Sequence, residues 1–111
     1  MALNDTPFDF YMGDSDSVTF RLREDGANKN MDGLTARFVG KTAFADAATE
    51  YVFDIECTNL GEGRVRASYT GDDMSEEVKA GVCEVVVINV DGSHKTFDQW
   101  GFIINPDVYR G

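Results

Sequence analysis

Along most of this chain apolar residues alternate with polar ones, and the spacing of an amphipathic helix is nearly absent. Val18, Phe20 and Leu22 alternate with Thr19, Arg21 and Arg23, which predicts a half-buried strand closed by the turn Glu24-Asp25-Gly26. A second turn at Asp32-Gly33 precedes Leu34, Ala36 and Phe38, the inward face of the next strand. Ala43 to Thr49 is alanine-rich and reads as one short helical turn.

Tyr51, Phe53 and Ile55 then alternate with Val52, Asp54 and Glu56, and Val65, Ala67 and Tyr69 alternate with Arg64, Arg66 and Ser68. Paired as an antiparallel hairpin, these segments set Ile55 opposite Val65, Phe53 opposite Ala67 and Tyr51 opposite Tyr69. The same register sets Glu56 against Arg64 and Asp54 against Arg66, so apolar and charged pairs agree.

Asp72, Asp73, Glu76 and Glu77 mark a turn or a single helical turn before Val78. Gly81 opens the most apolar run, Val82-Cys83-Glu84-Val85-Val86-Val87-Ile88, whose β-branched content predicts a central strand buried on both faces. Asp91-Gly92 signals a hairpin. A two-residue turn there sets Cys83 opposite Trp100 and Glu84 opposite Gln99. It leaves Asp98 opposite Val85, a conflict that a bulge would relieve. Trp100, Phe102 and Ile104 form the inward face of the last strand.

Strands near 8–11, 17–23, 34–39, 50–56, 64–70, 82–90 and 96–104 make seven. The expected fold is all-β, an immunoglobulin-like antiparallel β-sandwich of about seven strands, with a small β-barrel as the rival. The expected organisation is one domain over 1–111, with 1–7 and 106–111 as tails. The antibody Cys…Trp…Cys framework is missing, because Trp100 follows both cysteines.

Composition narrows the function classes. A hydrophobic content of 42% with 8 Phe, 4 Tyr and 1 Trp is that of a folded protein. The 10 basic residues against 20 acidic ones give a net charge of −10. No Lys or Arg precedes Arg21, and none lies between Lys41 and Arg64. Such a surface repels phosphate backbones and anionic lipid, which argues against nucleic-acid and membrane roles. It serves solubility, or a partner with a basic patch. No apolar run reaches the length of a membrane span. Met1-Ala2-Leu3-Asn4-Asp5 lacks the pattern of a signal peptide, so folding in the cytoplasm is expected. There, Cys57 and Cys83 are expected as buried thiols rather than a disulfide.

Catalytic chemistry finds no foothold. The one histidine, His94, falls in the Asp91-Gly92 hairpin, where it reads as a solvated turn residue. Nucleophile-elbow, phosphate-loop and dinucleotide motifs are missing, and one His with two scattered Cys does not suit zinc. Asp14 with Asp16, and Asp72-Asp73 with Glu76-Glu77, supply the oxygen ligands that calcium needs, but without EF-hand spacing. No catalytic, cofactor-binding or metal-ligating residue is therefore assigned. Phe8, Phe10 and Tyr11 are read as an edge strand or a partner contact in preference to a sugar platform.

Three stretches carry a family likeness. They are Pro7-Phe8-Asp9-Phe10-Tyr11-Met12-Gly13-Asp14 leading to Val18-Thr19-Phe20-Arg21-Leu22, then Met31-Asp32-Gly33-Leu34-Thr35-Ala36-Arg37-Phe38, then Gly81-Val82-Cys83 through Asp91-Gly92 to Phe102-Ile103-Ile104. Together they resemble the immunoglobulin-like N-terminal domain of tailed-phage baseplate upper proteins and related virion modules. That family has a Gly-Asp pair before its second strand and an Asp-Leu-Thr-like segment opening the third. A Gly-Xaa-Tyr enters its penultimate strand, ahead of an Asp-Gly turn. Here Cys83 replaces that Tyr, and Gly33 is inserted between Asp32 and Leu34.

The resemblance implies a non-enzymatic phage structural protein, a tail or baseplate assembly module located in the virion. Its expected partners are other virion proteins, with assembly as a homo-oligomer or on a lattice. Edge strands would be extended by a neighbour's chain, with the N-terminal arm through Tyr11 as the donor. Capsid decoration (a cement protein) and a glycan-binding adhesion module are the alternatives. A small hydrolase would need a cleft lined by carboxylates.

Overall fold

A computed structural model of the chain describes residues 6–42 and 51–106. Among these the regular structure is all β, in ten strands. They are β1 (Phe8–Tyr11), β2 (Asp16–Arg21), β3 (Arg23–Glu24), β4 (Ala27–Asn28) and β5 (Thr35–Lys41), then β6 (Phe53–Glu56), β7 (Thr58–Gly61), β8 (Arg64–Tyr69), β9 (Val78–Ile88) and β10 (His94–Asn105). A five-stranded sheet runs β1-β10-β9-β5-β6, a three-stranded sheet runs β2-β8-β7, and β3-β4 form a small hairpin. This is the two-sheet arrangement of an immunoglobulin-like sandwich, with the first strand on the larger sheet. All seven expected strands are present. The pairing of β1 with β10 is parallel, Phe8 beside Phe102 through Tyr11 beside Asn105, in a fold expected to be antiparallel throughout.

Alternation explains the core. Phe20, Ala36, Phe38, Val65, Ala67, Cys83, Val85, Phe102 and Ile104 all point between the sheets and are buried. Phe38 is 0% exposed, and its ring lies 5.0 Å from both Phe20 and Phe53 and 5.6 Å from Phe8. Offset and edge-on ring pairs of this kind add to the area they bury. Met31 and Met74 reach the core from loops, where flexible thioethers fill space the strands leave.

The β9–β10 hairpin keeps the expected register, with Trp100 opposite Cys83, Gln99 opposite Glu84 and Asp98 opposite Val85. Its turn is longer than expected. The Asn89 N–H donates to the Ser93 carbonyl, and the Gly92 N–H to the Asn89 carbonyl, which leaves Val90, Asp91 and Gly92 in the loop. Gly92 takes φ +88°, the left-handed position a three-residue hairpin requires. The extra loop residue is offset by a bulge between Thr96 and Asp98, so the expected register holds from Asp98 to Phe102, and a second shift follows before Ile104 pairs with Val78. The bulge does not move Asp98 away from Val85.

Two expectations are corrected. The segments 53–56 and 64–69 do not pair with each other. β6 pairs with β5, setting Ile55 opposite Phe38 and Glu56 opposite Arg37, while β8 lies between β2 and β7 in the other sheet. Tyr51, placed inward by that hairpin, lies outside β6 and is exposed. In the described part of the N-terminal arm, Phe8–Tyr11 is a strand of the chain's own sheet with Phe10 buried. The expected edge strand is thus present. The central strand β9 is buried on its inner face at Cys83, Val85 and Val87. Its outer face is buried only at Val86, with Glu84 and Ile88 half-buried. The Ala43 to Thr49 turn lies outside the described residues, as do most of both expected tails.

Candidate interaction surfaces

The outer face of the five-stranded sheet carries a paired network over an apolar floor. The Arg37 guanidinium donates to Asp54 at 2.6 Å and to Glu56 at 3.4 Å. The Glu84 carboxylate accepts from Thr96 Oγ1 at 2.9 Å and Gln99 Nε2 at 3.2 Å. Between them a trough of about 200 Å³ is lined by Val39, Val86, Ile88, Tyr51 and His94. The Lys41 ammonium sits 4.8 Å above the Tyr51 ring. His94 is the exposed first residue of β10, as its turn position suggested.

A second hollow, of about 280 Å³, opens between β2 and β10, where Phe20, Val85, Phe97 and Trp100 meet Arg21, Arg23 and Asp98. Trp100 is half-buried and edges against Phe8 at 5.1 Å. Beside this hollow the β3–β4 hairpin is tied down through Glu24, which accepts from Lys95 at 3.0 Å and Lys29 at 3.1 Å. The Lys95 and then the Lys29 hydrogen bonds hold the Glu24 carboxyl below the usual carboxylate range.

The outer face of the three-stranded sheet is different in kind. Arg21 on β2 lies directly opposite Arg64 on β8, and Arg66 follows on the same face, opposite Thr19 and Thr58. Among the described residues the ion pairs use Lys29, Arg37 and Lys95, and these three arginines take part in none. The Arg64 Nε is buried without an acceptor. Like charges directly opposite each other in a sheet oppose folding. The chain has 20 carboxylates, yet none of the described ones neutralises this face.

The two acidic segments meet at the other end of the same sheet. The Gly13 N–H donates to the Met74 carbonyl at 2.9 Å, which lays the β1–β2 loop on the β8–β9 loop. Asp14, Asp16, Asp72, Glu76 and Glu77 are exposed there, while Asp73 is occupied by the Thr70 N–H at 2.8 Å. Burial, then Asp16 and Asp14, push the Tyr69 hydroxyl up. Among the described residues no three carboxylates, histidines or cysteines converge as metal ligands would.

Both cysteines are free thiols, Cys83 buried and Cys57 partly so. Burial pushes Cys83 up to about 12 and Cys57 up to about 11, so neither is an activated nucleophile at neutral pH.

Sequence reasoning missed the arginine face, although its signal was present. Arg64 and Arg66 occupy outward positions by alternation, but the sequence register pairs them with Glu56 and Asp54. The structure gives those carboxylates to Arg37 instead.

No family model matches the chain, and no curated protein matches it. Among solved structures it is similar to a candidate glycoside hydrolase from Bacteroides vulgatus ATCC 8482, at 10% identity with a TM-score of 0.51. The alignment covers 90% of this chain but 16% of that one. At this identity the likeness is one of fold.

Proposed function

We propose that this chain is a non-enzymatic structural module of a phage particle, held in the tail or baseplate by contacts with other virion proteins. The observation that carries this reading is the outer face of the three-stranded sheet. Arg21, Arg64 and Arg66 stand there side by side with no carboxylate partner among the described residues. Next to them, among the described residues, no strand pairs with β2 on its side away from β8. Unneutralised like charges and an unpaired edge both cost stability in an isolated chain and both suit a contact. The family resemblance in the sequence points the same way. Capsid decoration is the alternative place in the particle.

Mass spectrometry of purified particles tests the proposal. The chain should co-purify with them at a fixed number of copies per particle. Recovery solely in the particle-free lysate would overturn it.

A glycan-binding reading draws on one observation, the exposed Tyr51 beside the trough that Asp54 and Glu84 border. Aromatic faces flanked by carboxylates suit sugar rings. Saturable quenching of tyrosine fluorescence by an oligosaccharide, lost in Tyr51→Ala, would favour it over the structural module.

A further inference from the structure

We infer that the arginine face of the three-stranded sheet docks the carboxylate-rich end of a second copy of this chain. The inference deepens the proposed assembly role by naming one of its contacts. Both halves of the contact belong to the same molecule and lie at opposite ends of one sheet. Arg21 and Arg64 close β2 and β8 at one end, and Asp16 lies opposite Tyr69 at the other. The strands between them span about 17 Å, and Arg66, opposite Thr19, lies about 10 Å from that end. Asp14, Asp72, Glu76 and Glu77 extend the acidic end beyond Asp16, all of them exposed.

Within one molecule this separation exceeds the screening length of physiological salt, so the two charge groups do little for each other. Between molecules they can meet directly. Arginine suits that role because its planar guanidinium can grip a carboxylate with two parallel hydrogen bonds. Nearby carboxylates do not pre-empt the site. Glu62 and Asp25 sit at turn tips at the arginine end, yet neither forms an ion pair there among the described residues. The Arg64 Nε is buried and finds no acceptor within the chain, so no internal hydrogen bond at that atom ties the side chain down.

A contact of one end on the other face is heterologous, so it propagates into rings or open arrays. A net charge of −10 opposes it at long range. Association should therefore be weak in the free protein and should respond sharply to salt.

Light scattering on the full chain at low and high ionic strength tests this, with Arg64→Glu/Arg66→Glu and Asp72→Lys/Glu76→Lys/Glu77→Lys as charge-reversed variants. Circular dichroism confirms that each variant is folded. The wild-type chain should associate at about 150 mM salt, where the net repulsion is screened beyond about 8 Å but direct ion pairs survive, and dissociate at about 500 mM, where charges are screened within a few ångströms. Each reversed variant alone should associate at least about tenfold more weakly, and an equimolar mixture of the two should regain the interaction. A wild-type chain that stays monomeric at about 150 mM salt would overturn the inference and point to an acidic partner of different sequence. So would association that survives both reversals or high salt. Absence of the chain from particles would instead sink the virion reading while leaving the self-contact untouched.

Discussion

The ring of Phe38 on β5 lies 5.0 Å from the ring of Phe20 on β2, joining the two sheets at the centre of the sandwich. Phe38 also touches Phe8, Phe10, Phe53 and Trp100, so one side chain holds the parallel strand β1, both sheets and the last strand together. Phe38→Ala should lower the free energy of unfolding by about 3–5 kcal/mol, measured by urea denaturation. A loss below about 1 kcal/mol would show that the cluster is not the core's centre.

Gly81 faces Phe102 across the β9–β10 pair. A Cβ at this position would fall 2.5 Å from a Phe102 ring carbon and 2.8 Å from the Lys41 carbonyl oxygen. The backbone oxygen cannot move aside as a flexible side chain could. Gly81→Ala should therefore destabilise the chain by about 1–3 kcal/mol in the same assay. An unchanged midpoint would contradict the close approach.

Burial holds the Cys83 thiol protonated up to about 12, well above an ordinary thiol. The unfolded chain deprotonates first as pH rises, so its proton count falls while that of the folded chain does not. Stability is therefore unaffected by this group below about pH 8.5 and declines above it. The slope from this one thiol should approach about 1.4 kcal/mol per pH unit until the folded form also ionises. Thermal unfolding from pH 8 to 10.5 should show a steeper decline in the wild type than in Cys83→Ala. Equal slopes would contradict a protonated thiol in the fold.

Arg21 opposite Arg64 is a like-charge pair that folding does not need. Arg21→Glu converts it to an opposite-charge pair and should raise the stability of the monomer by about 0.2–1 kcal/mol. Differential scanning fluorimetry at low salt would detect the shift, and high salt should shrink it. Destabilisation would mean that an unseen partner group already neutralises the arginines.

The legibility of this chain divides along the range of its contacts. The β9–β10 register was readable because both strands adjoin one turn signal, and because Trp100 opposite Cys83 excludes Glu84 from the core. Inward faces such as Leu34, Ala36 and Phe38 were readable because alternation fixes which side of a strand is apolar. Partner strands were not. Arg37, Arg64 and Arg66 all sit at outward positions, and each could satisfy Asp54 and Glu56 equally well on paper. Nearness in sequence favoured Arg64 and Arg66, while the sandwich brings Arg37 from 17 residues away to Asp54. That one misassignment hid the arginine face. The parallel pairing of β1 with β10 was equally hidden, since Phe8 and Phe102 share no turn from which a register could be counted. The short β3, β4 and β7 carry too few residues to show a period.

The most direct test of the account is a cryo-electron microscopy reconstruction of a phage particle of the kind in which the proposed function places the chain. The account predicts copies of the sandwich repeated by the particle's symmetry, with the outer face of β2 and β8 against a neighbouring protein. A particle in which every position is filled by other chains would contradict it, as would a sandwich whose arginine face looks into solvent.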